Sequence, residues 1–550
     1  MAEIRNIGHF EYRRPDFEKN LKSRVRVLKR LKNKIYPTEK LYNEWCKAKD
    51  YWNFYYTLCS VGLTKSNNDE FWIKEINFFS NCSIELNQKD SEITSAFLQR
   101  GRVGELTNYI GKLGIKRFRS RIHSQEKTAL EIAEYRSIQE WIQYKDSLKF
   151  IVDGKKIDIH GLFENLLSSH REIRKQTYEL IRESFSNSNI DNILNRLVHI
   201  RDEISKSCSF ENYEKFIEEE SFRDWGSSEA EQFKNSIKSY IVPIINSLQK
   251  SKKKRLHITK LENWDEYVFW KRGNPKVIIS RKSLKSKYIS VIESIFGEDI
   301  SQIAIDMFDN GLIDLRIQKN KDVGAYCWLL EGKNDSYISI KTQNIDDEPE
   351  SFFHEFGHAL QFYFSGDNFI QELRKPTREL MEIPSITLEL LSLDHYEIFY
   401  GQKAKERIEL HLINLLVLIC KVSILDDWQR NLYRNPNWTT KERNKSWAIA
   451  EKMWTPWRVT NPERWKQDYT IFETPFYDLD YGIATICALQ LWIESKTDKE
   501  SAIKKYLMLC ELGGKKNFQD TLKQVKLKNP FEDETIKWIS EQLEIILKDY

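Results

Sequence analysis

Apolar residues recur three and four apart along most of this chain, and that periodicity confines it to a mainly helical fold. The pattern runs through residues 17–31, 93–113, 126–146, 190–204 and 229–248, giving each stretch one apolar face. Helix breakers are scarce, with 20 Gly and 12 Pro in 550 residues, and Asn-Asn, Asp-Gly and Asn-Pro pairs mark the turns. The mix of 40% apolar and 31% charged residues is that of a folded chain, not a disordered one. No internal repeat or linker-like tract interrupts it. The expected division is an N-terminal helical lobe over residues 1–225 and a second lobe over 226–550.

One stretch breaks the helical period. Val323–Leu330 and Ser336–Thr342 are rich in β-branched and aromatic residues and flank a polar turn, Glu331-Gly-Lys-Asn-Asp335. They predict a β-hairpin, so a small sheet is expected just before the segment that carries the chemistry.

That segment is Ser351-Phe-Phe-His-Glu-Phe-Gly-His-Ala-Leu-Gln361. Pro349 suits a first helical turn, and Asp346, Asp347 and Glu350 suit the positive end of the helix dipole. On a helix His354 and His358 leave the same face one turn apart, so both imidazoles can meet one metal ion. Glu355 points to the side of the first ligand, where it can take a proton from the attacking water. A catalytic metal needs a third protein ligand, and a second amphipathic helix after Pro376 offers Glu379, Glu382 and Glu389. The pattern does not choose among the three.

Charge and composition exclude other classes. The 86 basic and 82 acidic residues leave a net charge of +4, too weak a field to imply a nucleic-acid partner. The densest basic run, Ser251-Lys-Lys-Lys-Arg255, reads as a solvated helix end. Eight scattered cysteines, none in a Cys-x-x-Cys pair, predict neither a disulfide framework nor a thiolate metal site, and fit a reducing compartment. The polar N-terminal sequence has no signal-peptide core. The longest apolar run, residues 412–420, is about half a membrane span. A cytoplasmic protein without a membrane partner is expected. His395 and His411 read as helix-surface histidines with no assigned role.

At the His354–His358 motif the sequence resembles the thimet oligopeptidase and oligoendopeptidase F family of zinc peptidases, closest to its shorter Pz-peptidase-like bacterial members. There an HExGH helix is followed about 25 residues later by a glutamate in a Glu-Ile-x-Ser setting; here Glu382-Ile-Pro-Ser385 follows His358 by 24 positions, which selects Glu382 as third ligand. Phe10-Glu-Tyr-Arg-Arg-Pro-Asp16 looks like the family's N-terminal segment. Val323-Gly-Ala-Tyr-Cys327 looks like its Gly-rich strand beside the cleft. The segment Pro475–Trp492 looks like its tyrosine-bearing closure.

The resemblance implies two helical lobes clasping a deep channel, with one Zn²⁺ per chain on its wall and a small β-sheet beside the metal helix. It implies a metalloendopeptidase of short unstructured peptides, the substrate lying along Gly324, Ala325 and Tyr326 by β-augmentation. Tyr481 and Tyr477 would be donors to the oxyanion, and Glu389 or Glu379 would support a ligating histidine. Two positions depart from the family: Thr470 stands where a histidine is usual, and Asp478 replaces the second tyrosine of Pro-Phe-Tyr-Tyr. The alternative these departures raise is a zinc-containing peptide-binding protein with impaired catalysis.

Overall fold

The computed structural model describes residues 5–33, 36–99, 102–119, 125–152, 155–342, 345–366, 368 and 370–549. Helices carry most of them, and every sheet is small. Two compact units are each assembled from three chain segments. The first comprises Met1–His123, Ser280–Ser392 and Glu494–Lys526; the second comprises Ser124–Ile279, Leu393–Ile493 and Leu527–Tyr550. Residue 225, where the sequence suggested a division, lies inside the second unit.

In the first unit, helices Phe17–Lys32, Thr38–Lys65, Glu70–Phe97 and Val103–Arg119 enclose a core built on Val27, Leu41, Trp45, Phe97, Leu106 and Phe118. Burying each such side chain contributes about 1.5–3 kcal/mol. The periodic stretch 93–113 is not one helix: one helix ends at Phe97, the next begins at Val103, and Gly111 at φ +75° kinks it. Apolar spacing continues across that break because both pieces face the same core.

The hairpin forms as expected. Strands β1 (Ile313–Asp314), β2 (Gly324–Leu329) and β3 (Ser336–Lys341) make one sheet in the order β1-β3-β2. β2 and β3 are antiparallel from Gly324 opposite Lys341 to Leu329 opposite Ser336, and β1 runs parallel to β3. β2 is therefore an edge strand. Helix α1 (Glu348–Ser365) packs on β2 and β3 and against helix α2 (Arg378–Ser392) and helix Lys499–Leu512. Pro349 and two glutamates occupy its first turn. Phe352, Phe353, Phe356 and Leu360 are fully buried, and Tyr288 stacks on Phe352 with ring centroids 3.9 Å apart.

In the second unit the stretch 229–248 stays helical, but a π-type turn at Ile237–Ile241 separates Ser227–Ser236 from Val242–Arg255. The wider turn accommodates Pro243, which has no N–H to donate. Helix α3 (Ala404–Arg434) buries Leu412, Ile413, Leu416 and Ile419. Among the described residues only the stretch Glu397–Arg434 has the length and apolarity to cross a membrane. Within its most apolar window 78% is buried in the protein, as in a core helix. Helix α4 (Asp478–Ser495) forms most of the tyrosine segment and carries Tyr481. No disulfide joins any of the eight cysteines.

Candidate metal centre

Helices α1 and α2 meet backbone to backbone. A Cβ on Gly357 would lie 2.5 Å from Ser385 Cα and 2.9 Å from the Pro384 carbonyl oxygen, so only glycine admits this approach. It brings Glu382, one turn earlier on α2, to the face of α1 that carries both histidines. Pro384 lies inside α2 and leaves the Leu380 carbonyl without its helical donor. Gln361 Nε2 of α1 donates to that carbonyl at 2.8 Å. Ser385 Oγ donates to the Glu382 carbonyl at 2.8 Å and lies 3.3 Å from its Oε2, holding the side chain in place.

The three candidate ligand atoms then converge. His354 Nε2 and His358 Nε2 are 3.2 Å apart, and Glu382 Oε2 is 3.5 Å from the first and 3.4 Å from the second. A tetrahedral ion with bonds of about 2.1 Å spaces its ligand atoms about 3.4 Å apart, so the residues fit a single metal ion. The two rings are near perpendicular, at 83°.

The next layer orients and charges the centre. Glu389 accepts a hydrogen bond from His354 Nδ1, which leaves Nε2 to face the metal position. Glu379 is not at the centre; its Oε1 accepts from Thr377 Oγ1 at 3.0 Å. All three glutamates of α2 are buried. Burial opposes charge on Glu382, but His358 and His354 overcome it and hold the carboxyl well below its usual range. Burial likewise opposes charge on His354, and Glu382 and Glu389 raise its pKa well above the ordinary histidine value. Glu355 is 6% exposed; burial raises its pKa, the histidines opposing. On β2, burial and then the Glu355 charge raise the pKa of the Cys327 thiol. The sequence reading missed Gly357, Gln361 and Cys327, though a proline inside a helix does signal a carbonyl needing an outside donor.

A model of peptidase family M3 matches residues 166–541. The chain belongs to peptidase family M3. It is a metallopeptidase, and the ligand geometry lies within the matched region. The solved structure of Pz peptidase A with an inhibitor aligns at TM-score 0.91 and 24% identity over 99% of each chain. A structure assigned to oligoendopeptidase F gives 0.91 and 24% over 98% of each chain, and one assigned to oligoendopeptidase F from Bacillus anthracis strain Ames gives 0.88 and 24% over 98% of each. These likenesses establish the mainly α fold with its small sheets. No curated protein sequence matches the chain.

Gly324, Ala325 and Tyr326 lie on the edge strand β2 in the same unit as the centre. Gly324 adopts φ +134°, a conformation open chiefly to glycine. Tyr326 is 39% exposed and its hydroxyl donates to the Val323 carbonyl at 2.9 Å.

The tyrosine segment of this M3 chain belongs to the second unit. The hydroxyls of Tyr477 and Tyr481 are 3.3 Å apart. The turn before them is strained, with Phe476 at φ +62°, unusual for a bulky residue. It is held from both sides: Phe476 N–H donates to Gln429 Oε1 at 2.7 Å, and Arg223 donates to the Phe476 carbonyl at 2.6 Å while pairing with buried Asp480 at 2.7 Å. The two family departures are neighbours. Asp478 is 9% exposed, and its pKa is pushed up to about 7 by burial and by Asp468, against Lys421 and a hydrogen bond from Thr470. Its carboxylate is turned into the protein. His411, expected on a helix surface, is 1% exposed.

Proposed function

We propose that this M3 peptidase is a zinc-dependent endopeptidase of short unstructured peptides. His354, His358 and Glu382 hold one zinc ion and Glu355 is the general base. The observation that carries this reading is the near-equal spacing of the three ligand atoms, 3.2, 3.4 and 3.5 Å, with a buried carboxylate beside them. Two imidazoles and one carboxylate form a donor set typical of catalytic zinc, which leaves a fourth position open. When bound, zinc polarises the scissile carbonyl and makes a water more acidic.

The chain's own residues do the rest. Glu355 takes the proton from the attacking water and passes it to the leaving amine; its burial favours the protonated form it must briefly hold. Glu389 fixes the His354 tautomer. The edge of β2 at Gly324, Ala325 and Tyr326 takes the peptide backbone as an added strand, a mode that selects extended peptides over folded proteins. Tyr481, with Tyr477 beside it, is the oxyanion donor; removing one such donor costs about 3–4 kcal/mol in the barrier. Eight cysteines, none in a disulfide, favour a reducing, cytoplasmic setting.

The test pairs zinc analysis with digestion of mixed peptides shorter than about twenty residues, on the native chain and on Glu355→Gln. Zinc retained by both, with cleavage falling about 10²–10⁴-fold in the variant, is expected. Zinc in both with cleavage by neither would point instead to a peptide-binding protein.

A further inference from the structure

Three unfavourable features meet at the turn that precedes Tyr477 and Tyr481. Phe476 sits at φ +62°, a left-handed conformation that its Cβ disfavours. Gln429 Oε1 accepts the Phe476 N–H at 2.7 Å, yet Gln429 Nε2 is buried with no hydrogen-bond partner among the described residues. The Arg223 guanidinium donates to the Phe476 carbonyl at 2.6 Å and to Asp480 at 2.7 Å. Its Nε is likewise buried without a partner. Stranded buried donors oppose folding. A turn that only had to start helix α4 would need none of this. Glycine at 476 would relieve the backbone, and an apolar side chain at 429 would remove one stranded donor.

What the turn presents is specific. From residue 475 to residue 493, every residue is buried except Tyr477 and Tyr481. Their rings meet edge to face, with centroids 5.2 Å apart. Tyr477 follows the strained residue directly, and Tyr481 leaves the opening turn of α4 beside Asp480. Arg223 therefore ties the strained carbonyl to the helical turn that carries Tyr481. Gln429 anchors the same peptide unit to α3. The Phe476 ring is seated against Tyr433 and Tyr213, at 5.4 and 6.4 Å between centroids. Strain persists only where the surroundings over-determine it, and such places cluster where a side chain must be aimed.

We propose that Gln429 and Arg223 are positioning residues, which fix the Phe476 turn so that Tyr481 is aimed at the oxyanion before the reaction begins. The inference rests on the reading of Tyr481 as the oxyanion donor. A donor stabilises developing charge most when it need not move as the charge forms. A misplacement of about 1 Å costs on the order of 10²-fold in rate. Neither positioning residue touches substrate in this reading, so losing one lowers kcat and spares KM.

A double-mutant cycle on the full chain tests this, using Gln429→Met, Tyr481→Phe and the two combined. Cleavage of a short peptide is followed, with rates normalised to bound zinc. Tyr481→Phe is expected to lower kcat about 10²–10³-fold. Gln429→Met is expected to lower it about 10–100-fold, with KM changed by less than about threefold. In the Tyr481→Phe background Gln429→Met should do almost nothing, because the group it aims is gone. Losses that multiply, or a native rate in Gln429→Met, would overturn the proposal. A native rate in Tyr481→Phe overturns both the donor reading and the proposal, and leaves the metallopeptidase standing. A crystal structure of Gln429→Met gives a readout independent of turnover. Phe476 is expected outside the left-handed region, with the tyrosine hydroxyls moved from their 3.3 Å spacing; an unchanged turn overturns the proposal. Should the native chain cleave nothing, the function proposed above falls and that structure alone decides the clamp. Should Gln429→Met not fold, hydrogen exchange at the Phe476 amide of the native chain decides. Protection matching that of α4 upholds the clamp, and exchange as fast as in an exposed turn overturns it.

Discussion

Gly357 has no room for a methyl group, because the atoms it would strike are the backbone of Pro384 and Ser385. Gly357→Ala is therefore expected to separate α1 from α2, costing about 1–3 kcal/mol as overpacking does, and to move Glu382 off the metal. A lowered melting temperature together with weakened zinc affinity is the expected pair of results; full affinity would contradict the contact. Glu389→Gln should act more gently, weakening metal binding about 10–100-fold in a competition titration while leaving the fold intact. Asp478 makes a different case. With its pKa raised to about 7, the folded chain binds a proton there that the unfolded chain has lost above about pH 4. Stability from this group is complete below that pH and is lost as pH rises through about 7. Asp478→Asn keeps the shape without the charge, so the variant should be more stable than the native chain at pH 8, by on the order of 1–3 kcal/mol, and little changed near pH 4. Melting curves at the two pH values would show it.

The elements differ in how far the sequence announced them. α1 was legible because its apolar spacing, its first-turn proline and its His-Glu-x-x-His all agree, and β2 and β3 because a polar turn separates two β-rich runs. β1 has two residues and exists only by pairing with β3, so no local pattern could mark it. The glutamates of α2 looked interchangeable because burial depends on partners far along the chain. Choosing Glu382 took family likeness; its Oε2 lies 3.5 and 3.4 Å from the two imidazole nitrogens. The clasp between Pro384 and Gln361 yields a double-mutant test. Gln361→Leu strands the Leu380 carbonyl and should cost about 1–3 kcal/mol. Pro384→Ala restores a helical N–H for that carbonyl, so the double variant should recover much of the loss. Additive losses in denaturant unfolding would mean that the hydrogen bond does not matter.

At the scale of the molecule, a metal that binds only the folded chain stabilises it by mass action, about 2.7 kcal/mol when its free concentration is a hundred times its Kd. Chelation should lower the melting temperature of the native chain, and that of a His354→Ala, His358→Ala double variant much less. The unit that carries the candidate ligands is built from three separated stretches of chain. α1 and α2 both pack on helix Lys499–Leu512, which a ribosome makes after nearly all of the second unit. A polypeptide halted at residue 493 would own every ligand yet lack the surface that seats them, and it is expected to retain no zinc on elemental analysis. Biosynthetic order therefore acts as a safety catch: a growing chain stays unarmed until helix Lys499–Leu512 has been translated.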